Sequence, residues 1–473
     1  MNNSRTTKLA KNTLVLTISN LSSKLLSFIF VPLYTYILTT EQYGTADIIT
    51  TTVSLVTPIF TILASEAILR FSLDEKQDKK QLFSVVFYVY LIGTILLSVI
   101  TAGVGVFFPI VREYIIFFLL YYVTINANEI LLQFGKGIGK ITLVGIAGVI
   151  ASAVLITFNI IFLVVLKLGI EGYLLSFILS NTISTIFLSI TLKVKTFVIP
   201  YHRLKKNILK DICEYTLPMI PNSISWWISN SSSKYVITFF LGSSLTGIYS
   251  IAHKIPSFLS VFVSIFMSAW QISAVEGFGT KECTEFYEKI YKVLFKGLTT
   301  ICAGIMLLSE FLGKYLFLNE FEEAWIYCPI LLLSALFHAL SGFMGTVYTS
   351  AKKTKFLFYS TAIGALMNVI LSILLVQFIG VFGATIAAAL SYFIIWVLRT
   401  IDSRKIMKMR VNYIDTTFQI ILLIIEATVV SAQIQYYKPI SFVITMALVL
   451  FNTKTIFGYI TKTIFKRNEG QQQ

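Results

Sequence analysis

Fourteen runs of about twenty predominantly apolar residues divide this chain, and a helix of that length is what a hydrocarbon layer roughly 30 Å thick requires. The runs fall at 12–38, 46–70, 82–108, 114–134, 141–166, 170–192, 215–241, 246–272, 292–310, 325–350, 356–378, 381–400, 414–433 and 440–460. They occupy well over half of the 473 residues, so no connection is long enough to be a globular domain of its own. Composition agrees: 56% of residues are apolar and only 13% are charged. The expected class is an all-α polytopic membrane protein of about fourteen transmembrane helices.

The positive charge tests that count. Of 38 Lys and Arg residues, 27 fall in alternate connections if the N-terminus is cytoplasmic. Only Arg112, Lys167, Lys314 and Lys438 fall in the others. A missed or invented helix would scramble this alternation, so it predicts cytoplasmic N- and C-termini. It also removes the reason for a nucleic-acid partner, because the net charge of +15 is spread over every inner loop without an aromatic-interleaved basic domain. The first run is too long for a signal-peptide core and has no small-residue cleavage site, so it reads as a retained span. The division expected is a six-helix lobe over 1–192, a basic linker over 193–214, a second six-helix lobe over 215–400, and two further helices with a basic tail over 401–473.

Soluble-enzyme chemistry finds little footing. Cys213, Cys283, Cys302 and Cys328 have no metal-ligand spacing and imply no disulfide. His202, His253 and His338 are far apart in sequence, which argues against a metal centre. The stretch Gly135-Lys-Gly-Ile-Gly-Lys-Ile is not a phosphate loop, since Ile141 stands where a Ser or Thr must follow the lysine. No cofactor and no nucleotide-hydrolysing domain are implied.

Seven cations lie inside the spans. Lys296, Arg399 and Lys454 lie near inner helix ends, with Arg70 a borderline case, and are expected to snorkel to the headgroups. Lys24, Lys234 and Lys254 are deeper, and such charges face a wet cavity or a partner. Around Lys24, Asn20, Ser23 and Ser27 complete a polar stripe at i, i+3, i+4 and i+7 spacing. Ser223, Asn230 and Lys234 share a face of the seventh span, with Asn222, Ser225, Ser229 and Ser232 on the adjoining one. Serine and asparagine stripes also form helix-packing seams, but packing does not require an ammonium. Among the intramembrane acids, Glu66 and Arg70 have i, i+4 spacing and read first as an ion pair. Glu129, with Asn126 and Gln133 on its face, either balances Lys24 or titrates as a coupling site. Glu426 is either protonated or turned to a packing partner. The two six-span halves each open with a lysine-bearing polar stripe followed by an outer turn, Glu41-Gln-Tyr-Gly44 and Thr246-Gly-Ile-Tyr249, which suggests two pseudo-symmetric lobes.

The run Lys24-Leu-Leu-Ser-Phe-Ile-Phe-Val-Pro32-Leu-Tyr-Thr-Tyr-Ile-Leu-Thr-Thr-Glu41-Gln-Tyr-Gly44 resembles the opening of bacterial polysaccharide flippases. These are the O-antigen and capsule repeat-unit transporters of the multidrug/oligosaccharidyl-lipid/polysaccharide exporter superfamily. The stretch from Leu217-Pro-Met-Ile-Pro-Asn222 through Lys234 to Lys254-Ile-Pro256 resembles the start of that family's second half. The resemblance implies a MATE-like fold and a non-enzymatic exporter in the bacterial cell membrane. Its cargo would be an undecaprenyl-diphosphate-linked oligosaccharide for capsule, exopolysaccharide or a related polymer, flipped by alternating access through a cationic central cavity. Membrane lipids, a polysaccharide polymerase and glycosyltransferases would be its partners. On this reading Lys24 and Lys254 contact the diphosphate, Lys234 and Arg70 attract or relay it, and Asn20, Asn222 and Asn230 line the glycan path. Glu66 and Glu129 remain for coupling or charge balance. Rival readings are a multidrug exporter, which would need acids near Lys24, and a membrane polymerase, which would need a larger outer loop than the connection over 311–324.

Overall fold

The computed structural model describes the backbone of residues 28–469 except 75, 108, 276 and 277. It describes the side chains of these residues except 106–107, 109–111, 268–269, 271–273, 275 and 454–469. Every expected span from 46–70 onward coincides with one helix or with a bent pair of helices. Nine described helices are long and apolar enough to cross a membrane, or eleven if each bent pair is one span.

The first unit ends at Trp227. It contains α1 (Val31–Ile37), α2 (Thr40–Phe60), α3 (Ala64–Ser72), α4 (Lys79–Phe107), α5 (Pro109–Gly137), α6 (Ile141–Asn159), α7 (Gly169–Thr191) and α8 (Lys206–Thr216). A capping box starts α2: the Thr39 hydroxyl accepts from the Gln42 amide, and the Gln42 side chain accepts from the Thr39 amide. The Glu41–Gly44 stretch expected as a turn is therefore the first turn of a helix. Between α2 and α3, Ile62 and Leu63 take positive φ, and the pair is bent by 57°. The 193–214 segment is more than a tether. Gln81 and Ser84 of α4 hold it, the Gln81 amide donating to the Arg203 carbonyl at 3.0 Å and the Ser84 hydroxyl donating to the Phe197 carbonyl at 2.8 Å. Ile208 and Ile212 of α8 then enter the core formed with Ile68, Leu82, Phe83 and Phe134.

The second unit begins at Ile228, inside α9 (Ile220–Leu241). It continues with α10 (Ser243–Ala252), α11 (Lys254–Val275), α12 (Lys281–Leu307), α13 (Ser309–Leu316), α14 (Cys328–Ser350), α15 (Lys355–Ile379), α16 (Val381–Asp402), α17 (Tyr413–Ser431) and α18 (Tyr437–Glu469). Helices α10 and α11 form the second bent pair, at 41°, and the Thr246–Tyr249 motif lies at the start of α10. The two Gly-Tyr motifs thus occupy corresponding places, each opening the first member of a bent pair. The α15–α16 hairpin turns on Gly380 at φ +60°, and Gly383 brings the two backbones together. A Cβ there would stand 2.3 Å from the Leu375 carbonyl carbon.

Two cations expected at the membrane surface are instead built into the second unit. Arg399 is 1% exposed. Its Nε donates to Ser360 Oγ at 2.9 Å and its Nη1 to the Ser341 carbonyl at 2.9 Å. Its Nη2 donates to Thr361 Oγ1 at 2.8 Å and to the Leu357 carbonyl at 3.3 Å. One guanidinium on α16 thereby ties α14 to α15. Lys296 is 5% exposed, with its Nζ 3.6 Å from Asp415 and 4.7 Å from the Phe451 ring centroid. Both snorkelling expectations fail for one reason: a partner set within reach competes with water for the charge. The Lys454 side chain lies outside the described residues. Glu426 is buried and turned to a packing partner, its Oε1 accepting from Ser441 at 2.7 Å and from Thr445 at 2.9 Å across the α17–α18 seam.

Candidate functional site

Helix α9 carries two polar faces with different roles. Ser229, Ser232 and Ser233 are buried against α15, where the Asn368 amide donates to the Ser229 carbonyl at 3.0 Å and to Ser232 Oγ at 3.3 Å. Ser233 donates to Asn368 Oδ1 at 3.2 Å and lies 3.0 Å from the Ser372 hydroxyl. This face is a packing seam, although Ser229 and Ser233 also reach the wall of the cavity beside it. The other face opens. Asn230, one turn before Lys234, accepts a 2.6 Å hydrogen bond from the Tyr392 hydroxyl of α16.

Asn230 lines a cavity of about 170 Å³ with Tyr249, His253, Ser257, His338 and Tyr392. A second hollow of about 200 Å³ shares Ser260, Ala335 and His338 with it. The two imidazoles stack on tyrosines, His253 on Tyr249 at 4.6 Å and His338 on Tyr392 at 4.8 Å between ring centroids. Hydroxyl, amide and imidazole groups dominate the polar lining, and among the described residues no carboxylate contributes to it. Such a surface hydrogen-bonds to hydroxylated groups and to water and offers nothing to neutralise a cation. Sequence spacing did not find this cluster, because His253 and His338 are 85 positions apart and meet only through helix packing. The signal within reach was local: His253 precedes Lys254, and Asn230 precedes Lys234 by one turn.

Lys234 and Lys254 are both half-buried, Lys234 one turn beyond Asn230 and Lys254 at the start of α11 beside His253. Asn222 is half-buried in the first turn of α9. In the first unit, Glu66 and Arg70 are exposed on α3, and no ion pair joins them among the described residues. The i, i+4 spacing permitted that pair, but at exposed positions it repays little of the entropy of ordering two long side chains. Glu129 on α5 is half-buried and accepts from Gln133 at 2.5 Å, and Gln133 in turn accepts from Lys136 at 3.4 Å. Asn20 and Lys24 lie outside the described residues.

A separate hollow of about 670 Å³ is lined by Leu333, Phe337, Phe382, Phe393, Ile424 and other apolar side chains of α14, α16 and α17. It suits an aliphatic chain rather than a polar ligand. At its far end from Asp415, α17 is followed by the Glu310–Tyr437–Lys438 group. There Lys438 lies 2.8 Å from a Glu310 carboxylate oxygen and the Tyr437 hydroxyl donates at 2.5 Å. Burial pushes the Glu310 carboxyl up, but the hydrogen bonds of Lys438 and Tyr437 and the charges of Lys438 and Lys314 outweigh it, leaving a net lowering.

Long apolar helices, two bent helix pairs and polar clusters held inside the helical units define a multi-pass membrane protein with a MATE-type fold. The lipid II flippase MurJ, in an inward closed conformation, matches this structure with a TM-score of 0.72 at 14% identity, over 95% of this chain and 100% of that one. An inward-facing multidrug resistance MATE family transporter of the MOP superfamily matches with a TM-score of 0.62 at 17% identity, over 82% of this chain and 97% of that one. In sequence, the chain is 24% identical over 419 residues to an uncharacterized membrane protein of Methanocaldococcus jannaschii, covering 84% of this chain and 99% of the relative. The chain belongs to the polysaccharide biosynthesis protein family, whose model matches residues 9–271, more than half of its length.

Proposed function

We propose that this protein is a flippase that moves polyprenyl-diphosphate-linked oligosaccharide repeat units from the inner to the outer leaflet of the bacterial cell membrane, with both termini cytoplasmic. The family match over residues 9–271 carries the reading. The second unit adds chemical support. Its polar cavity suits sugar hydroxyls, two half-buried lysines, Lys234 and Lys254, follow the lining residues Asn230 and His253 within one helical turn of the chain, and its apolar hollow accommodates an isoprenoid segment. The described lining holds no carboxylate, which speaks against an organic cation as cargo.

On this reading transport proceeds by alternating access through a cationic cavity. Lys24 and Lys254 contact the diphosphate, Lys234 and Arg70 attract or relay it, and Asn20, Asn222 and Asn230 line the glycan path. Glu66 and Glu129 serve charge balance or coupling. The membrane potential favours outward movement of the anionic headgroup by about 2.3 kcal/mol per net charge per 100 mV. Undecaprenyl diphosphate is the proposed carrier, and glycosyltransferases and a polymerase for capsule or exopolysaccharide are the proposed partners. In a strain lacking this protein, wild type should restore surface polysaccharide. Lys24→Ala and Lys254→Ala, inserted at normal levels, should each cut restoration more than tenfold, whereas full restoration by both variants would overturn the assignment. Addition of a prenyl-diphosphate glycan should also raise the unfolding temperature of purified protein, and an organic cation should not.

A further inference from the structure

Where α12 and α17 begin, a hollow of about 360 Å³ is lined by Lys289, Lys292, Lys296, Arg410, Asn412 and Asp415, with Glu285 and Glu288 also at its wall. Sequence places it: Lys289, Lys292 and Lys296 follow i, i+3, i+7 spacing and share a face of α12. Arg410 and Asn412 arrive on the segment entering α17, where the Asn412 side chain accepts from the Asp415 amide at 3.2 Å.

The charges sort into spent and unspent. Asp415 is paired with Lys296 and accepts from the Gln419 amide at 2.8 Å. Glu288 accepts from the Arg410 backbone amide at 2.6 Å, and Glu285 faces Lys281 at 4.0 Å. Each acid therefore has a partner from the protein. Lys292 and the Arg410 guanidinium are exposed and have no ion-pair partner among the described residues. Net positive charge and the N-terminal end of α17 converge on the hollow, and the aromatic wall of Tyr291 and Phe295 gives it an apolar side. The hollow lies where α12 changes from its charged first half to its apolar run, the depth at which lipid phosphates meet a spanning helix.

We propose that this hollow is a phosphate-binding site, with Lys292 and Arg410 as the cations that hold the anion and Lys289 beside them. Its ligand is a phosphate ester of an anionic phospholipid headgroup or free phosphate. Occupancy clamps the start of α12 to the segment leading into α17. The site is independent of the flippase reading, since it uses none of the residues assigned to the cargo.

The test uses purified full-length protein in a phosphate-free maltoside detergent, followed by thermal unfolding. Short-chain phosphatidylglycerol and inorganic phosphate are added in separate arms, with chloride at matched ionic strength as the reference. A ligand well above its dissociation constant should raise the unfolding midpoint by about 2 °C or more, and the Lys292→Gln/Arg410→Gln variant should lose at least half of that rise. A rise with phosphatidylglycerol alone identifies a lipid headgroup, and a rise with both ligands identifies phosphate itself. Both residues are exposed, so the variant keeps the buried Lys296–Asp415 pair. No rise above chloride in either arm, or the same rise in the variant as in wild type, would overturn the site.

Discussion

Replacement of Arg399 separates two effects of a buried charge. Its guanidinium makes four hydrogen bonds to groups on α14 and α15. Bonds from a charged donor contribute about 1.5–3 kcal/mol each, or roughly 6–12 kcal/mol before the cost of removing the ion from water. That desolvation cost is several kcal/mol, so truncation to alanine, which also opens a cavity, should destabilise by about 3–5 kcal/mol. Methionine should do far less damage. It fills most of the space, brings no charge, and leaves the two hydroxyls satisfied, because Ser360 and Thr361 already donate to the Leu357 carbonyl at 3.0 and 2.9 Å. Its expected cost is below about 1.5 kcal/mol. Lysine should resemble alanine, because a single ammonium cannot reproduce a fork that spans two neighbouring helices. The assay is thermal unfolding in detergent, read with a fluorogenic thiol dye on the buried Cys283, Cys302 and Cys328 at one fixed scan rate. The expected order of midpoints is wild type, Met, then Ala and Lys together. A lysine variant as stable as wild type, or a methionine variant as unstable as alanine, would refute the reasoning.

Glu426→Gln should keep its stability, since an amide oxygen can accept from both Ser441 and Thr445, whereas Glu426→Ala strands the Ser441 hydroxyl, leaves Thr445 only its 3.3 Å bond to the Ala303 carbonyl, and should cost about 1–3 kcal/mol in the same assay. Gly383→Ala should lower the yield of folded protein on size-exclusion chromatography far more than Gly364→Ala. The first Cβ would meet Leu375 backbone at 2.3 Å, which cannot give without parting the helices, while the second would meet the Ile395 side chain at 2.3 Å, with backbone no nearer than the Ser391 carbonyl at 3.5 Å. The Glu310–Lys438 pair predicts a pH effect. Because the Glu310 carboxyl is held below its ordinary range, its stabilisation is present above that range and fades as pH falls through the lowered value. Wild type should therefore exceed Glu310→Gln in unfolding temperature at pH 7, and the two should converge as pH falls through that lowered value. A gap that persists unchanged at low pH would assign the difference to packing.

The spans were legible because burial in lipid imposes a length and a composition that single residues cannot disguise. Helix α9 shows the limit of that rule: Lys234 and its run of serines lower its hydropathy, yet the chain is helical from Ile220 to Leu241. Side-chain fates were less legible. Position along a helix gives depth, so Glu426 could be recognised as buried, but the choice between Arg399 snorkelling and Arg399 coordinated depends on which carbonyls of α14 and α15 arrive beside it. The failure at Glu66 and Arg70 has the same origin, since i, i+4 spacing permits contact without repaying the entropy of making it. The polar cavity was hidden most deeply, because His253 comes from the break between α10 and α11, His338 from α14 and Tyr392 from α16, and none is a Lys, Arg, Asp or Glu that stands out in a hydropathy trace.

Those differences bear on which cations can handle a ligand. A charge buried among helices is tolerated when its donors are spent, and Arg399 spends four of five on oxygens of the fold. A cation so committed cannot bind and release an anion in turn without the helices it joins coming apart. Depth of burial and suitability for transport are therefore opposed. Less buried cations are better suited to exchange: Lys234 and Lys254 are half-buried, and Lys292 and Arg410 are exposed at the rim of a separate hollow. The lysine that looks most surprising in a hydropathy trace is not for that reason the one that meets the substrate. What distinguishes a ligand cation is a neighbouring space that water and an anion can occupy by turns, and in the second unit that space adjoins His253 and Asn230 and not Arg399.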